Sequence, residues 1–204
     1  MQAKPLFVTG IGTGIGKTVV SAILVEKLHA DYWKPVQSGD LDNSDTQKVQ
    51  SLVANKTSVF HPEAYRLTQP YSPHKSAALD GININENYII LPKTNNRLII
   101  EGAGGLMVPL NDHFLMIDLI EQLNAEVILV AQNYLGSINH TLLSINALKQ
   151  RNLPVKGIIF NGDSNGSSEE YITTSTAIRL LGKIPVLPAI SKENVTIAQN
   201  LLTF

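Results

Sequence analysis

Apolar residues along this 204-residue chain fall into two rhythms. Short uninterrupted runs occupy 6–8, 98–100, 127–130, 155–160 and 184–187, and runs of this length read as buried strands. Between them the apolar spacing widens to three and four residues over 17–29, 115–123, 138–150, 169–181 and 193–201, which predicts helices. Strand alternating with helix predicts an α/β fold: a single doubly wound, mostly parallel sheet with helices on both faces and right-handed crossovers. Ligands of such a sheet gather at the carboxyl ends of its strands. Two less regular segments, 38–43 and the proline-bearing 66–74, read as active-site loops rather than linkers. No shift in composition marks a boundary, so residues 1–204 are expected to form one domain.

The segment after the first strand adds chemistry. Thr9-Gly-Ile-Gly-Thr-Gly-Ile-Gly-Lys-Thr-Val follows an apolar strand and opens a helix, the context of a phosphate-binding loop and of a P-loop NTPase-like fold. Its glycines let backbone amides converge on phosphate oxygens at the positive end of the helix. Lys17 would neutralise the terminal phosphate, and the Thr18 hydroxyl would ligate magnesium. The common form has four residues between its first glycine and Gly-Lys-Thr. Here Ile11 stands at that place and Gly10 comes one residue earlier, so the loop is a variant longer by one residue.

Magnesium on phosphates calls for further oxygen ligands. Glu101 closes the run at 98–100 and opens Glu-Gly-Ala-Gly-Gly, while Asp45 lies in Asp42-Asn-Ser-Asp. Spacing leaves each open to two readings, a metal ligand or, for Asp45, a helix N-cap and, for Glu101, a solvated strand end. Lys34, in Tyr32-Trp-Lys-Pro-Val-Gln-Ser-Gly, is either a cation that stabilises charge on a transferring group or an edge-strand lysine. Ser38 either donates to substrate or stabilises the turn. Tyr32 and Trp33 read as core or edge packing.

Composition removes several alternatives. Sixteen Lys plus Arg against seventeen Asp plus Glu leave no positive excess to follow a nucleic-acid backbone. With no cysteine there is no disulfide, thiolate metal ligand, iron–sulfur cluster or cysteine nucleophile. Histidines 29, 61, 74 and 113 lack the paired spacing of a metal cluster, and His140 reads as a locally bonded helix-start residue. The N-terminal stretch into Leu6-Phe-Val-Thr is too short and too little apolar for a signal peptide or membrane span, so a cytoplasmic protein is expected, without membrane or nucleic-acid partners.

Four segments taken together, Gly-Ile-Gly-Thr-Gly-Ile-Gly-Lys-Thr, Lys34-Pro-Val-Gln-Ser-Gly, Glu101-Gly-Ala-Gly-Gly and Leu135-Gly-Ser-Ile-Asn-His, resemble dethiobiotin synthetase. Tyr71-Ser-Pro-His, Phe160-Asn161 and Leu181-Gly-Lys-Ile-Pro-Val-Leu extend the resemblance over nearly the whole chain. It implies a homodimeric ATP- and magnesium-dependent cyclo-ligase of biotin biosynthesis, closing a ureido ring from diaminopelargonate and carbon dioxide with release of ADP and phosphate. In that scheme a substrate amine captures carbon dioxide as a carbamate. The carbamate attacks the terminal phosphate, and the second amine closes the ring.

The same resemblance implies roles. Thr18, Asp45 and Glu101 would hold magnesium, and Lys34 would be the catalytic lysine with Lys17 sharing the charge. Gly12, Thr13, Gly14, Ile15, Gly16 and Val19 complete the nucleotide loop, with Gly102, Ala103 and Gly104 behind Glu101. Asn161, Gly162, Pro185, Val186 and Leu187 fall on the base side and Glu193 near the ribose. Thr13 and Ser38 match contacts to the diamine or its carbamate. Gly136, Ser137 and Asn139 match the helix start that receives the substrate carboxylate across the dimer interface. Two departures stand out: Gly162 where many relatives carry an acidic residue, and a short segment 82–96, interrupted by Pro92, where relatives often have a fuller helix.

Competing readings are a partitioning ATPase, a cobyrinate-type amide synthetase and a small-molecule kinase. Partitioning relatives typically carry an additional lysine near the loop start, where this chain reads Thr9-Gly-Ile-Gly, and no basic amphipathic tail follows the last helix. The amide synthetase would need more chain and usually a cysteine. The phosphate loop alone leaves the kinase open.

Overall fold

The first apolar run forms β1 (Leu6–Gly10), all five residues buried, and the glycine-rich loop after it leads into α1 (Lys17–Leu28). The computed structural model describes residues 3–204; Met1 and Gln2, the start of the stretch read above as too short for a signal peptide, lie outside the described residues. The chain continues through β2 (Asp31–Trp33), β3 (Val36–Ser38), α2 (Asp45–Leu52), β4 (Phe60–His61), β5 (Tyr65–Leu67) and α3 (Pro73–Leu79). Then follow β6 (Leu98–Gly105), α4 (Met116–Gln122), β7 (Glu126–Ala131), α5 (Ser137–Gln150), β8 (Val155–Asn161), α6 (Gly166–Thr176), β9 (Leu180–Ile184) and α7 (Lys192–Ala198).

Seven strands build one sheet in the order β4-β2-β6-β1-β7-β8-β9, every neighbouring pair parallel. The chain leaves β1 toward β2 and β4, returns to β6, and then crosses to β7. The strand order therefore reverses around β1, and the crevice at the carboxyl ends of β1 and its neighbours is where ligands of such sheets bind. A separate two-stranded parallel ribbon, β3 with β5, stands at that same end and carries Gln37 and Ser38.

Burial on both faces explains the continuous apolar strands. On one face Val20, Ile23 and Leu24 of α1 pack with Ile128, Ile159, Leu181 and Val195; on the other Phe7, Trp33, Ile100 and Val127 meet Met116, Ile120 and Leu148. Each such side chain contributes about 1.5–3 kcal/mol on burial. No helix among the described residues is long and apolar enough to cross a membrane.

Three expectations shift. The helix expected over 169–181 is Gly166–Thr176, started by the Asn165 side chain accepting from Ser168 N. Leu180 and Leu181 belong to β9, because main-chain pairing with Ile158 and its neighbours outweighs their helical spacing. The strand expected over 184–187 ends at Ile184, since Pro185 has no N–H to pair and Val186 is 66% exposed. Residues 66–74, read as a loop, hold the end of β5 and the start of α3, with Pro73 in the first helical turn. In 82–96 only a 3-10 turn, Glu86–Tyr88, forms; Ile84 and Ile89, each 1% exposed, anchor the segment in the core instead of a helix.

Candidate active site

Strand register assembles the site. Trp33 lies opposite Ile100 and Val8 opposite Glu101, so Lys34, one residue past β2, sits beside Glu101 at the end of β1. Lys34 Nζ is 2.5 Å from Asp45 Oδ2 and 3.4 Å from Glu101 Oε1. Thr18 Oγ1 donates to Glu101 Oε1 at 2.9 Å. Four of the residues singled out in the sequence thus converge from α1, β2, α2 and β6 on one point. Lys34 is 4% exposed and lies beyond a strand paired on both sides, which overturns its reading as an edge-strand lysine. Glu101 is 1% exposed and inside β6, not a solvated strand end.

Asp45 is freed for this position by its neighbours. Ser44 caps α2, accepting from Gln47 N at 3.3 Å while Gln47 Oε1 accepts from Ser44 N at 2.7 Å. The cap reading of Asp45 is therefore corrected: a complete capping box already serves the helix, and the Asp45 carboxylate turns to Lys34 and, at 3.7 Å, Lys48. Its main-chain N–H donates to Gln37 Oε1 at 3.2 Å, tying α2 to β3.

Burial alone would depress Lys34, but Glu101 and then Asp45 overcome it and hold the ammonium above the ordinary lysine value. Burial would likewise raise Asp45, yet Lys34 holds it below the usual carboxylate range. Lys17 differs: burial pulls it down to about 8 against a weaker opposing pull from Glu101. The pair Lys34 and Asp45 is thus fixed as ions, while Lys17 titrates near the working range of most enzymes.

The phosphate loop is shaped for an anion. Gly16 precedes α1 with φ 85°, and no side chain caps the helix, which leaves its first-turn amides for phosphate oxygens. Lys17 Nζ donates to Gly12 O at 2.9 Å, folding over the loop. Hard oxygen donors on Thr18, Asp45 and Glu101 beside this cradle suit a divalent cation of magnesium type. A cleft of about 860 Å³ opens over them, lined also by Thr13, Ser38 and the 70–73 turn. Ser38 Oγ is buried there without a protein partner.

At Gly16 a β-carbon would meet Asn161 Nδ2 at 2.2 Å, in a backbone region that costs other residues about 1–3 kcal/mol. Gly16→Ala should therefore lower the melting temperature by several degrees, at about 2–4 °C per kcal/mol for a chain this size. An unchanged thermal transition would show that the loop relaxes without cost.

The base-side residues lie around β8 and β9. Asn161 Nδ2 donates to Ile15 O at 3.0 Å, joining the end of β8 to the loop, and Gly162 N donates to Ile184 O at 2.8 Å. Gly162 has φ 100°, a conformation that favours glycine over an acidic residue. Leu187 packs against the core cluster under α1, Val186 is exposed, and Glu193 lies in the first turn of α7. Gly136, Ser137 and Asn139 start α5 and line a different cleft, with Asn133, Asp163 and Ser164, instead of the one over Lys34. Leu135 beside them is fully exposed. His140 accepts or donates at Nδ1 with Tyr134 OH at 2.8 Å, the local bond expected of it.

Two contributors escaped the sequence reading. Gln37 holds Asp45 N and donates to Gly39 O at 3.0 Å. Tyr32, read as packing, does bury its ring, but its hydroxyl donates to Glu101 Oε2 at 2.9 Å. No spacing signal reports either, because each acts through a side-chain hydrogen bond that only the folded chain forms.

A family model described as an AAA domain matches residues 4–194. The chain is 55% identical over 190 residues to the ATP-dependent dethiobiotin synthetase BioD of Christiangramia forsetii, covering 93% of this chain and 88% of that protein. With the enzyme of the same name from Cytophaga hutchinsonii it shares 52% over 194 residues, 95% and 94% of the two chains. Among solved structures it is similar to the cell division ATPase MinD of Pyrococcus furiosus, with TM-score 0.59 and 17% identity over 97% of this chain and 89% of that one. A ParA family ATPase of Chlorobium tepidum gives TM-score 0.56 and 15% identity, covering 98% and 92%. Those two share the P-loop NTPase-like fold and, at such identities, nothing further. The relatives above 50% identity, together with the cluster at the phosphate loop, decide the matter: the chain belongs to the dethiobiotin synthetase family.

Proposed function

We propose that this chain makes dethiobiotin in biotin biosynthesis, an ATP- and magnesium-dependent ligase reaction that closes a ureido ring on diaminopelargonate with carbon dioxide. One observation carries the reading to particular residues: Lys34, held charged between Asp45 and Glu101, faces the phosphate loop within a single cleft. Thr18, Asp45 and Glu101 would hold magnesium, whose chemistry there is to neutralise charge on the phosphates. The loop amides from Gly12 to Val19 and Lys17 would bind the triphosphate, with Gly102, Ala103 and Gly104 leaving room beside it. Asn161, Gly162 and 185–187 would contact the base and Glu193 the ribose.

Catalysis then rests on position and fixed charge. Thr13 and Ser38 orient the diamine or its carbamate; the buried Ser38 hydroxyl has a free hydrogen-bonding capacity toward the cleft. Lys34 stabilises negative charge as a carbamate oxygen attacks the terminal phosphorus and ADP leaves, and Lys17 shares that charge. The second amine then attacks the carbonyl carbon, the ring closes, and phosphate departs.

The turn at 136–139 opens on a cleft separate from that of Lys34 in its own chain, with α5 presenting its N-terminus there. We infer a homodimer in which the partner's copy of this turn receives the substrate carboxylate. Residues 1–204 act as one domain, in the cytoplasm.

Purified protein should form ADP only when both diaminopelargonate and bicarbonate are supplied, with dethiobiotin detected by mass spectrometry. ATP turnover indifferent to the diamine would overturn the assignment.

A further inference from the structure

A carboxylate in a buried site can present either oxygen, because rotation about its last side-chain bond is soft and nearly two-fold. In Glu101 the two oxygens have different surroundings. Oε1 accepts from Thr18 Oγ1 at 2.9 Å and lies 3.4 Å from Lys34 Nζ, whereas Oε2 accepts from Tyr32 OH at 2.9 Å. Tyr32 is fully buried. Its main chain is fixed in β2 between β4 and β6, with Tyr32 N donating to Val59 O at 2.9 Å. Its ring lies 6.2 Å, centroid to centroid, from that of Phe60. The phenol is therefore a donor anchored in the sheet, and among the described residues its hydrogen bond goes to the inner oxygen of Glu101.

We propose that Tyr32 is a positioning residue for divalent-cation binding: its hydroxyl locks the rotation of Glu101, keeping Oε2 in the interior and presenting Oε1 to Thr18 and the phosphate loop. The inference rests on the reading of Glu101 as a metal ligand. Partners one step behind a metal ligand orient it and raise its effectiveness, and their loss typically weakens metal binding by about 10–100-fold. Tyr32→Phe deletes one oxygen and leaves the ring in place, so Glu101 becomes free to rotate and its inner oxygen loses a bond. The carboxylate then populates orientations that do not serve the cation.

The test is Mn²⁺ binding to the full-length protein with ADP present, followed by the electron paramagnetic resonance signal of free Mn²⁺, for the wild type, Tyr32→Phe, Tyr32→Leu and Glu101→Gln. Both Tyr32 variants should bind Mn²⁺ about tenfold more weakly. ADP affinity measured with chelator in place of metal should stay at the wild-type value. In turnover, the half-saturating Mg²⁺ concentration should rise by more than kcat at saturating Mg²⁺ falls, a split that a general loss of packing does not produce. The two variants disturb packing differently, so a shared metal defect beside different melting temperatures assigns the effect to the hydroxyl. If Glu101→Gln loses Mn²⁺ while folded Tyr32 variants bind it like the wild type, the positioning role is wrong and the metal reading stands. If Glu101→Gln also binds Mn²⁺ normally, the metal reading falls and takes the role of Tyr32 with it.

Discussion

Lys34→Ala is expected to leave nucleotide binding largely intact while lowering dethiobiotin formation at least about a hundredfold, the scale of one lost charge contact in a transition state. In the proposed site phosphate binding would fall to the loop amides and Lys17, which folds over the loop and which the substitution leaves in place, whereas Lys34 would stand where charge builds during transfer. Its ammonium is desolvated yet stays charged, because Glu101 and Asp45 outweigh the cost of burial. A cation already fixed at the reacting groups needs no reorganisation when the charge develops. Lys34→Arg keeps the charge but not the compact shape that fits between two carboxylates, and should recover only part of the rate. The readouts are product by mass spectrometry and the affinity of a fluorescent ATP analogue. Unchanged product formation in Lys34→Ala would remove Lys34 from catalysis, and loss of analogue binding would reassign it to the nucleotide.

How much of this was legible beforehand follows from the physics of each residue. The sheet, its parallel sense and the phosphate loop were readable because strands buried on both faces leave uninterrupted apolar runs and because Gly-Lys-Thr opens a helix. Boundaries near the C-terminus were not: Leu180 and Leu181 fit a helical rhythm, and pairing with β8 decided against it. Asp45 was ambiguous because acidic residues suit helix starts, and the capping box of Ser44 and Gln47 settles its freedom only in three dimensions. Lys34 stood open between a charge-stabilising cation and an edge-strand lysine, and the pairing of β4 on the far side of β2 removes the edge reading. Tyr32 belongs to the same class, an apolar ring by pattern whose polar end meets a residue 69 positions away. The Gly136 turn, legible as a motif, lies outside the Lys34 cleft of its own chain, and no arrangement of one chain's strands would have announced that.

Lys17→Met should lower kcat/KM for ATP by about 100- to 1000-fold, the cost of one preorganised donor to the phosphates, and should also stabilise the fold. The second effect follows from the first group's environment. Burial brings Lys17 down to about 8 from the ordinary 10.5, so at neutral pH the folded chain holds an ammonium that the unfolded chain holds more easily. A lysine lowered on folding opposes stability while charged in the fold. The opposition is relieved between about pH 8 and 10.5, where the unfolded state binds more protons and stability rises with pH. Removing the charge at pH 7 should therefore gain roughly 3 kcal/mol, or about 6–12 °C in melting temperature, at the price of triphosphate binding. In the wild type, kcat/KM for ATP reports the free enzyme and should fall as pH rises through about 8, because the protonated lysine is the form that binds. The limb in kcat should lie higher, since bound phosphates favour the ammonium. Lys17→Arg, charged throughout, should lose the limb near pH 8 even at reduced activity. A flat kcat/KM profile between pH 7 and 9 in the wild type, or a Lys17→Met protein that melts lower, would show that the buried ammonium is satisfied and that the loop binds phosphate without this tension.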